Sequence, residues 1–214
     1  MLITFEGGEG AGKTSLINRL GKELSSQGLQ LLKTREPGGS PLSEHIRSWL
    51  LNLDFDVKVG KQAELLLFLA ARAQHLEELI IPALQADKIV LCDRFNESTI
   101  VYQGLARGLG FEKTAALCKL VSDGVEPDLT FFLDVDPIIG LERTKRTRKE
   151  NANDGEMDRI ESEGLLFHKL VREGFQRLAA ENPGRIHTLD ANKSESEVFH
   201  DALKVLERKM ELRL

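Results

Sequence analysis

The chain has 214 residues and a net charge of −5, from 29 basic and 34 acidic side chains. That is enough for one sizeable α/β core in one domain, 1–214, and the interspersed, slightly acidic surface argues against a nucleic-acid or anionic-membrane partner. No apolar run reaches membrane-spanning length, Met1 leads straight into an apolar segment, and Cys92 and Cys118 show no metal-ligand spacing, so an unexported protein of a reducing compartment, the cytoplasm, is expected.

The first apolar run, Leu2 to Phe5, reads as a strand and leads into "FEGGEGAGKTSL". Gly7, Gly12, Lys13 and Thr14 complete the phosphate-loop spacing G-x-x-x-x-G-K-[ST], with Gly8, Glu9, Gly10 and Ala11 between them. Glycines let successive N–H groups turn toward one anion, Lys13 reaches the outer phosphates as a point charge, and the Thr14 hydroxyl suits Mg²⁺. The spacing of Leu16, Ile17, Leu20 and Leu24 predicts a helix whose N-terminus receives the phosphates. Glu9 stands out, because a carboxylate facing those phosphates would be repelled. Its side chain is expected to point across the loop toward a second substrate, the alternative being a solvent-facing loop residue.

Four further β-rich runs, Leu29 to Thr34, Ile89 to Cys92, Leu129 to Val135 and Ile186 to Leu189, alternate with helical patterns. The alternation predicts a five-stranded parallel sheet with helices on both faces, and ligands beyond the carboxyl ends of the strands. Four runs deliver polar residues there: Glu6, Arg35 with Glu36, Asp93 with Arg94, and Asp134. Between the second and third runs, "AELLLFLAARAQHLEELII" is apolar around its circumference from Leu65 to Ala71, which asks for cover by a partner subunit or by the chain's own next helix. Phe68 and Arg72, four apart, share a helix face, where a ring and a guanidinium can stack a base and bond its carbonyl edge. A core aromatic is the alternative for Phe68. Arg35 and Arg94 suit an acceptor phosphate, or a structural ion pair. Asp93 is the best carboxylate for Mg²⁺ with Thr14, unless it is a buried structural carboxylate. Ser98, Thr99 and Gln103 offer groups for base edges, and Tyr102 is the only tyrosine.

After the fourth run comes "ERTKRTRKENANDGEMDRIESE", charge-dense and poor in apolar residues. A phosphate loop alone does not separate kinase, switch and motor. The guanine-reading N-K-x-D is only approximated by "NKSE" at Asn192 to Glu195, and "CDRF" replaces the D-x-x-G expected after the third strand of a GTPase switch. A kinase needs cations that follow the moving charge, and apart from Lys13 the phosphate loop has none. Arg143, Lys145, Arg146, Arg148, Lys149 and Arg159 can supply them from a closing lid; a solvated charged face is the alternative.

The motifs "EGGEGAGKT", "TREPGG", "LLFLAAR", "CDRFNESTIVYQG", "PDLTFFLDVDP" and "DRIE", in this order over nearly the whole length, resemble the thymidylate kinase family. The resemblance is closest to its bacterial form, whose lid carries the arginine that the phosphate loop lacks. It implies a P-loop nucleoside monophosphate kinase fold, phosphorylation of thymidine monophosphate by ATP with Mg²⁺ in pyrimidine deoxynucleotide synthesis, and a homodimer. It further implies that Phe68 stacks on thymine, Arg72 contacts its O4, and Thr99 and Gln103 lie near the ring. Tyr102 would lie beside the sugar and disfavour a 2′-hydroxyl, and Glu9 would accept from the 3′-hydroxyl. Arg143 fits a place near adenine, and Arg146 or Arg148 the catalytic role, in a lid of about residues 143–160. The segment "KENANDG" makes this lid longer than the bacterial pattern. Another nucleoside monophosphate or deoxynucleoside kinase, and a nucleotide-dependent switch, are the remaining readings.

Overall fold

A computed structural model describes residues 1–51, 59–150, 159–160 and 162–210. Strand β1 (Leu2–Glu6) is buried along its whole length and pairs in parallel with β3 (Ile89–Asp93) and β4 (Leu129–Asp134). The edges are β2 (Leu31–Arg35) and β5 (Ile186–Asp190), in the order β2-β3-β1-β4-β5. Period-two alternation divides the core. Ile3, Phe5, Leu129, Phe131 and Leu133 point to the face covered by α1 (Lys13–Ser26) and α9 (Glu195–Met210). Phe132 points to the other face, against Phe175 of α8 (Leu165–Glu181) at a centroid distance of 5.4 Å.

The second strand starts two residues later than the apolar run suggests. Leu29 belongs to the end of α1: Gly28, at φ 78°, turns the chain, and Leu29 N–H reaches back to the Leu24 carbonyl. That is the double-bonded glycine stop of a helix, which spends an apolar residue on sealing the last turn.

Helices α2 (Pro41–Leu51) and α3 (Lys61–His75) follow β2; α3 continues through a π-helical segment, Leu76–Ile80, into α4 (Ile81–Gln85). After β3 the short α5 (Asn96–Thr99) runs into a longer π-helical segment, Ile100–Ala106, and α6 (Phe111–Ser122) precedes β4. The charge-dense segment begins inside α7 (Pro137–Glu150), which carries Arg143, Arg146 and Arg148. Most of "KENANDG" and the rest of the expected lid up to Asp158 lie outside the described residues.

Connections out of β1 and β4 diverge, toward β2 and β5 respectively, so the loop after β1 sits at the switch point of the sheet. A cavity of about 690 Å³ opens there.

Candidate active site

One end of the cavity is built by the phosphate loop. Gly7, Gly10 and Gly12 take φ values of 142°, 66° and 86°, which side chains other than glycine rarely adopt. Gly10 has a second reason: a Cβ there would run into the backbone of Gly140 in α7. Residues Glu9 to Thr14 line the cavity, while Gly7 and Gly8 stand behind, their carbonyls accepting the Lys13 ammonium at 3.1 and 3.0 Å. Burial and the nearby Arg94 both lower the Lys13 pKa, and a phosphate anion in the loop would offset both by favouring the charged ammonium. The Thr14 hydroxyl donates to Asp93 Oδ2 at 3.2 Å. Two oxygen donors of this kind, at a helix N-terminus beside a phosphate loop, fit a hard cation such as Mg²⁺. Arg143, which donates to the Ala191 carbonyl at 2.7 Å, and Arg146 form the wall contributed by α7. Arg148 is not among the lining residues.

Arg94 occupies the centre at φ 67°, a left-handed conformation in a non-glycine residue. Its guanidinium donates to Glu9 Oε1 at 2.6 Å, to the Gly7 carbonyl at 3.1 Å and to Ser98 Oγ at 3.2 Å, and lies 5.0 Å from the Tyr102 ring centre. Tyr102 Oη donates to the same Glu9 oxygen at 3.2 Å. Burial by itself would raise the Glu9 pKa, but Arg94 and Lys13 outweigh it and hold the carboxyl below its ordinary value. Glu9 therefore points away from the phosphate cradle, toward Arg94 and Tyr102.

The far end is lined by Phe68, Arg72, Thr99 and Gln103. Arg72, 2 % exposed, donates from Nε to Glu36 Oε2 at 2.7 Å and from Nη2 to Thr99 Oγ1 at 2.9 Å and the Phe95 carbonyl at 3.0 Å. Glu36 is held in turn by His75 Nδ1 at 3.0 Å, and His75 Nε2 by Thr34 Oγ1 at 2.6 Å. Cys92 lies close to this pair, but its thiol is bonded to the Arg94 carbonyl, and burial pushes its pKa well up. Arg35, half exposed, reaches the cavity while bonded to both Glu44 oxygens at 3.0 and 2.9 Å.

Two strand-end carboxylates expected at the site are elsewhere. Asp134 is turned to Arg172, at 2.6 Å, and Gln176, because α8 covers the end of β4. Glu6 is fully buried beneath the site, accepting from Phe95 N–H at 2.7 Å and Ser98 Oγ at 2.5 Å. Both miss the cavity because a helix or loop closes over their strand ends. Arg47, which lines the cavity and donates to the Pro37 carbonyl at 2.8 Å, and the orienting roles of Glu36 and His75 are additions that sequence reasoning missed. Spacing carried a signal for His75, three residues after Arg72 and hence on its helix face.

A cavity with a phosphate cradle at one end, a planar ring with a fixed guanidinium at the other, and an Arg–Glu pair between them is the outline of a nucleotide kinase. The profile of the Thymidylate kinase family matches residues 5–202. This chain belongs to the thymidylate kinase family. It is 55 % identical over 205 residues to the thymidylate kinase of Protochlamydia amoebophila, covering 96 % of this chain and 91 % of that one. With the enzyme of Shouchella clausii it shares 45 % over 208 residues, 97 % and 95 % of the two chains. The crystal structure of thymidylate kinase from Ehrlichia chaffeensis superposes with a TM-score of 0.76 at 35 % identity, over 96 % of this chain and 98 % of that one. The five-stranded parallel sheet is thus the P-loop nucleoside monophosphate kinase fold of the thymidylate kinases.

Proposed function

We infer that this protein transfers the γ-phosphoryl group of ATP to thymidine monophosphate, giving thymidine diphosphate for deoxynucleotide synthesis. The observation that carries this reading is the continuity of the cavity from the Lys13–Thr14 cradle to Phe68 and Arg72. Two nucleotides entering from opposite ends meet at Arg94. Phosphoryl transfer asks for alignment and charge stabilisation more than for a protein nucleophile, so the transfer is direct and in line, without a covalent enzyme intermediate. Lys13 and the N–H groups of Glu9 to Thr14 hold the donor phosphates. Thr14 and Asp93 would hold Mg²⁺, whose charge offsets that of the phosphoryl oxygens.

Arg94 and Arg35 grip the acceptor phosphate, Phe68 stacks on the base, and Arg72 with Ser98, Thr99 and Gln103 bonds its edge. Tyr102 stands where a 2′-hydroxyl would go, and Glu9 accepts from the 3′-hydroxyl. Arg143 borders the adenine side, and Arg146 follows the transferred charge; its place on the cavity wall favours it over Arg148. In this reading residues 1–214 are one kinase domain, with a lid at about 143–160. A cytoplasmic location fits the two free, buried cysteines. Among the described residues no helix is long and apolar enough to cross a membrane, and the reading includes no nucleic-acid partner.

Coupled turnover over a panel of nucleosides and nucleoside monophosphates tests the function. Thymidine monophosphate is expected to be the fastest acceptor, with deoxyuridine monophosphate behind it. Fastest turnover with any other acceptor, or ATP hydrolysis indifferent to all of them, rejects it.

A further inference from the structure

Gln103, 2 % exposed, lines the cavity beside Phe68, Arg72 and Thr99. Its amide nitrogen is committed elsewhere: Nε2 donates to Glu64 Oε1 at 2.9 Å, and Glu64 is not one of the lining residues. Glu64 stands on α3 one turn before Phe68, is 1 % exposed, and is held by two cations. Its Oε1 also accepts from Arg107 Nε at 3.3 Å, and its Oε2 pairs with Arg159 Nη2. Arg107 is anchored in turn by Glu163, and its guanidinium lies 4.9 Å from the Phe167 ring centre. A carboxylate fixed in this way offers its neighbour acceptor oxygens only. With the amide reversed, the Gln103 carbonyl oxygen would stand about 2.9 Å from Glu64 Oε1, acceptor against acceptor in a buried place.

We propose that Glu64 is a positioning residue for base selection, turning the Gln103 carbonyl oxygen toward the cavity as a fixed hydrogen-bond acceptor. The inference rests on the thymidine monophosphate reading and adds how the base is told from cytosine. Beside this acceptor the wall presents donors. Arg72 is oriented by Glu36, and Thr99 Oγ1, already accepting from Arg72 Nη2, keeps its own hydrogen to give. Thymine and uracil carry the complementary edge, a carbonyl oxygen at position 4 next to an N3–H. Cytosine carries the reverse, an amino group next to a bare N3, so donors meet donors and acceptors meet acceptors. A site built around hydrogen bonds rejects strongly whatever leaves its buried groups unpaired.

The test is kcat/KM for thymidine and deoxycytidine monophosphates in wild type, Glu64→Gln and Gln103→Met, with thermal unfolding as the folding control. In Glu64→Gln the new amide can face Gln103 with either end, so Gln103 is free to reverse. The ratio of thymidine to deoxycytidine turnover is expected to fall about tenfold or more. Lost contacts to Arg107 and Arg159 slow both substrates alike and leave the ratio unmoved. Gln103→Met, similar in size but without the amide, should lower the ratio too, and it can still overturn the proposal if Glu64→Gln does not fold. A wild-type enzyme inactive on thymidine monophosphate overturns the proposed function and this inference with it. A selective wild type whose folded Glu64→Gln variant keeps the full ratio overturns the role of Glu64 alone, as does an unmoved ratio in Gln103→Met where Glu64→Gln fails to fold.

Discussion

Glu6 is the residue whose chemistry departs furthest from what its place in the chain suggests. It ends β1 and precedes the phosphate loop, yet it bonds the Phe95 N–H and Ser98 hydroxyl that follow Arg94. Burial, reinforced by the neighbouring Glu97, pushes its pKa up to about 8 against the pull of Ser98 and Arg94. Glu97 is itself paired with Arg185 at 2.7 Å. Between the ordinary value of 4.5 and about 8, the folded protein keeps a proton that the unfolded chain releases. Stability contributed by this group is therefore present below that window and lost as pH rises through it. Glu6→Gln keeps the shape, accepting from Phe95 and donating to Ser98, with no proton to lose. The fall of Tm from about pH 5 to about pH 9 should be shallower in Glu6→Gln than in wild type. Equal slopes would assign the proton to another group.

At the scale of elements, α7 connects the donor site to the arginines. It meets the phosphate loop backbone to backbone through a pair of glycines: a Cβ on Gly10 would strike Gly140, and one on Gly140 would strike the Glu9 carbonyl. Gly140→Ala forces that contact apart. Overpacking of this kind costs about 1–3 kcal/mol, or about 2–4 °C of Tm per kcal/mol in a chain of this size. Because Arg143 and Arg146 ride on the same helix, ATP turnover should drop with Tm, and an unshifted Tm would show that the loop yields without strain. Arg146 itself is the sharper probe. Losing a cation that acts only in the transition state should lower kcat by about two orders of magnitude or more with little change in ATP binding. Arg148→Ala should do far less. A reversed order between the two, measured by single-turnover kinetics and nucleotide titration, would move the catalytic role to Arg148.

For the whole molecule, the apolar surface of α2 and α3 sets the expectation. Leu65, Phe68, Leu69 and Ala71 are buried by the chain's own core, but Leu66 remains 61 % exposed, with Leu42 at 47 % and Trp49 at 48 % on α2, which packs beside α3. We propose that a second copy covers this face, as a homodimer. Leu66→Asp places a charge there at little cost to an isolated subunit, since the position is solvent-facing within one chain. Light scattering at micromolar concentration should show a dimer for wild type and a monomer for Leu66→Asp. A wild-type monomer would reject the dimer.

Much of this molecule is legible in its residues alone, for a physical reason: where chemistry is local, spacing carries it. The phosphate loop needs glycines at set intervals, a lysine and a hydroxyl, all within one turn of backbone, so Gly7 to Thr14 could be read directly. Strand alternation placed Arg35, Asp93 and Arg94 at the carboxyl edge, and helical periodicity put Phe68 and Arg72 on one face. The Leu29 boundary was misjudged because the same apolar residue serves a strand or the seal after Gly28. Orientation and partnership were beyond local pattern. Asp134 and Glu6 end their strands as the others do, but α8 claims one and the Phe95–Ser98 turn buries the other. Arg146 and Arg148 stand two apart, on different faces of α7, and only the packing of that helix in the fold decides that the face with Arg143 and Arg146 lines the cavity. The π-helical turn at Ile100–Ala106 and the bond from Gln103 to Glu64, 39 positions away, arise from packing between distant segments. Local pattern supplied the groups able to do the chemistry, and long-range packing chose which way each of them faces.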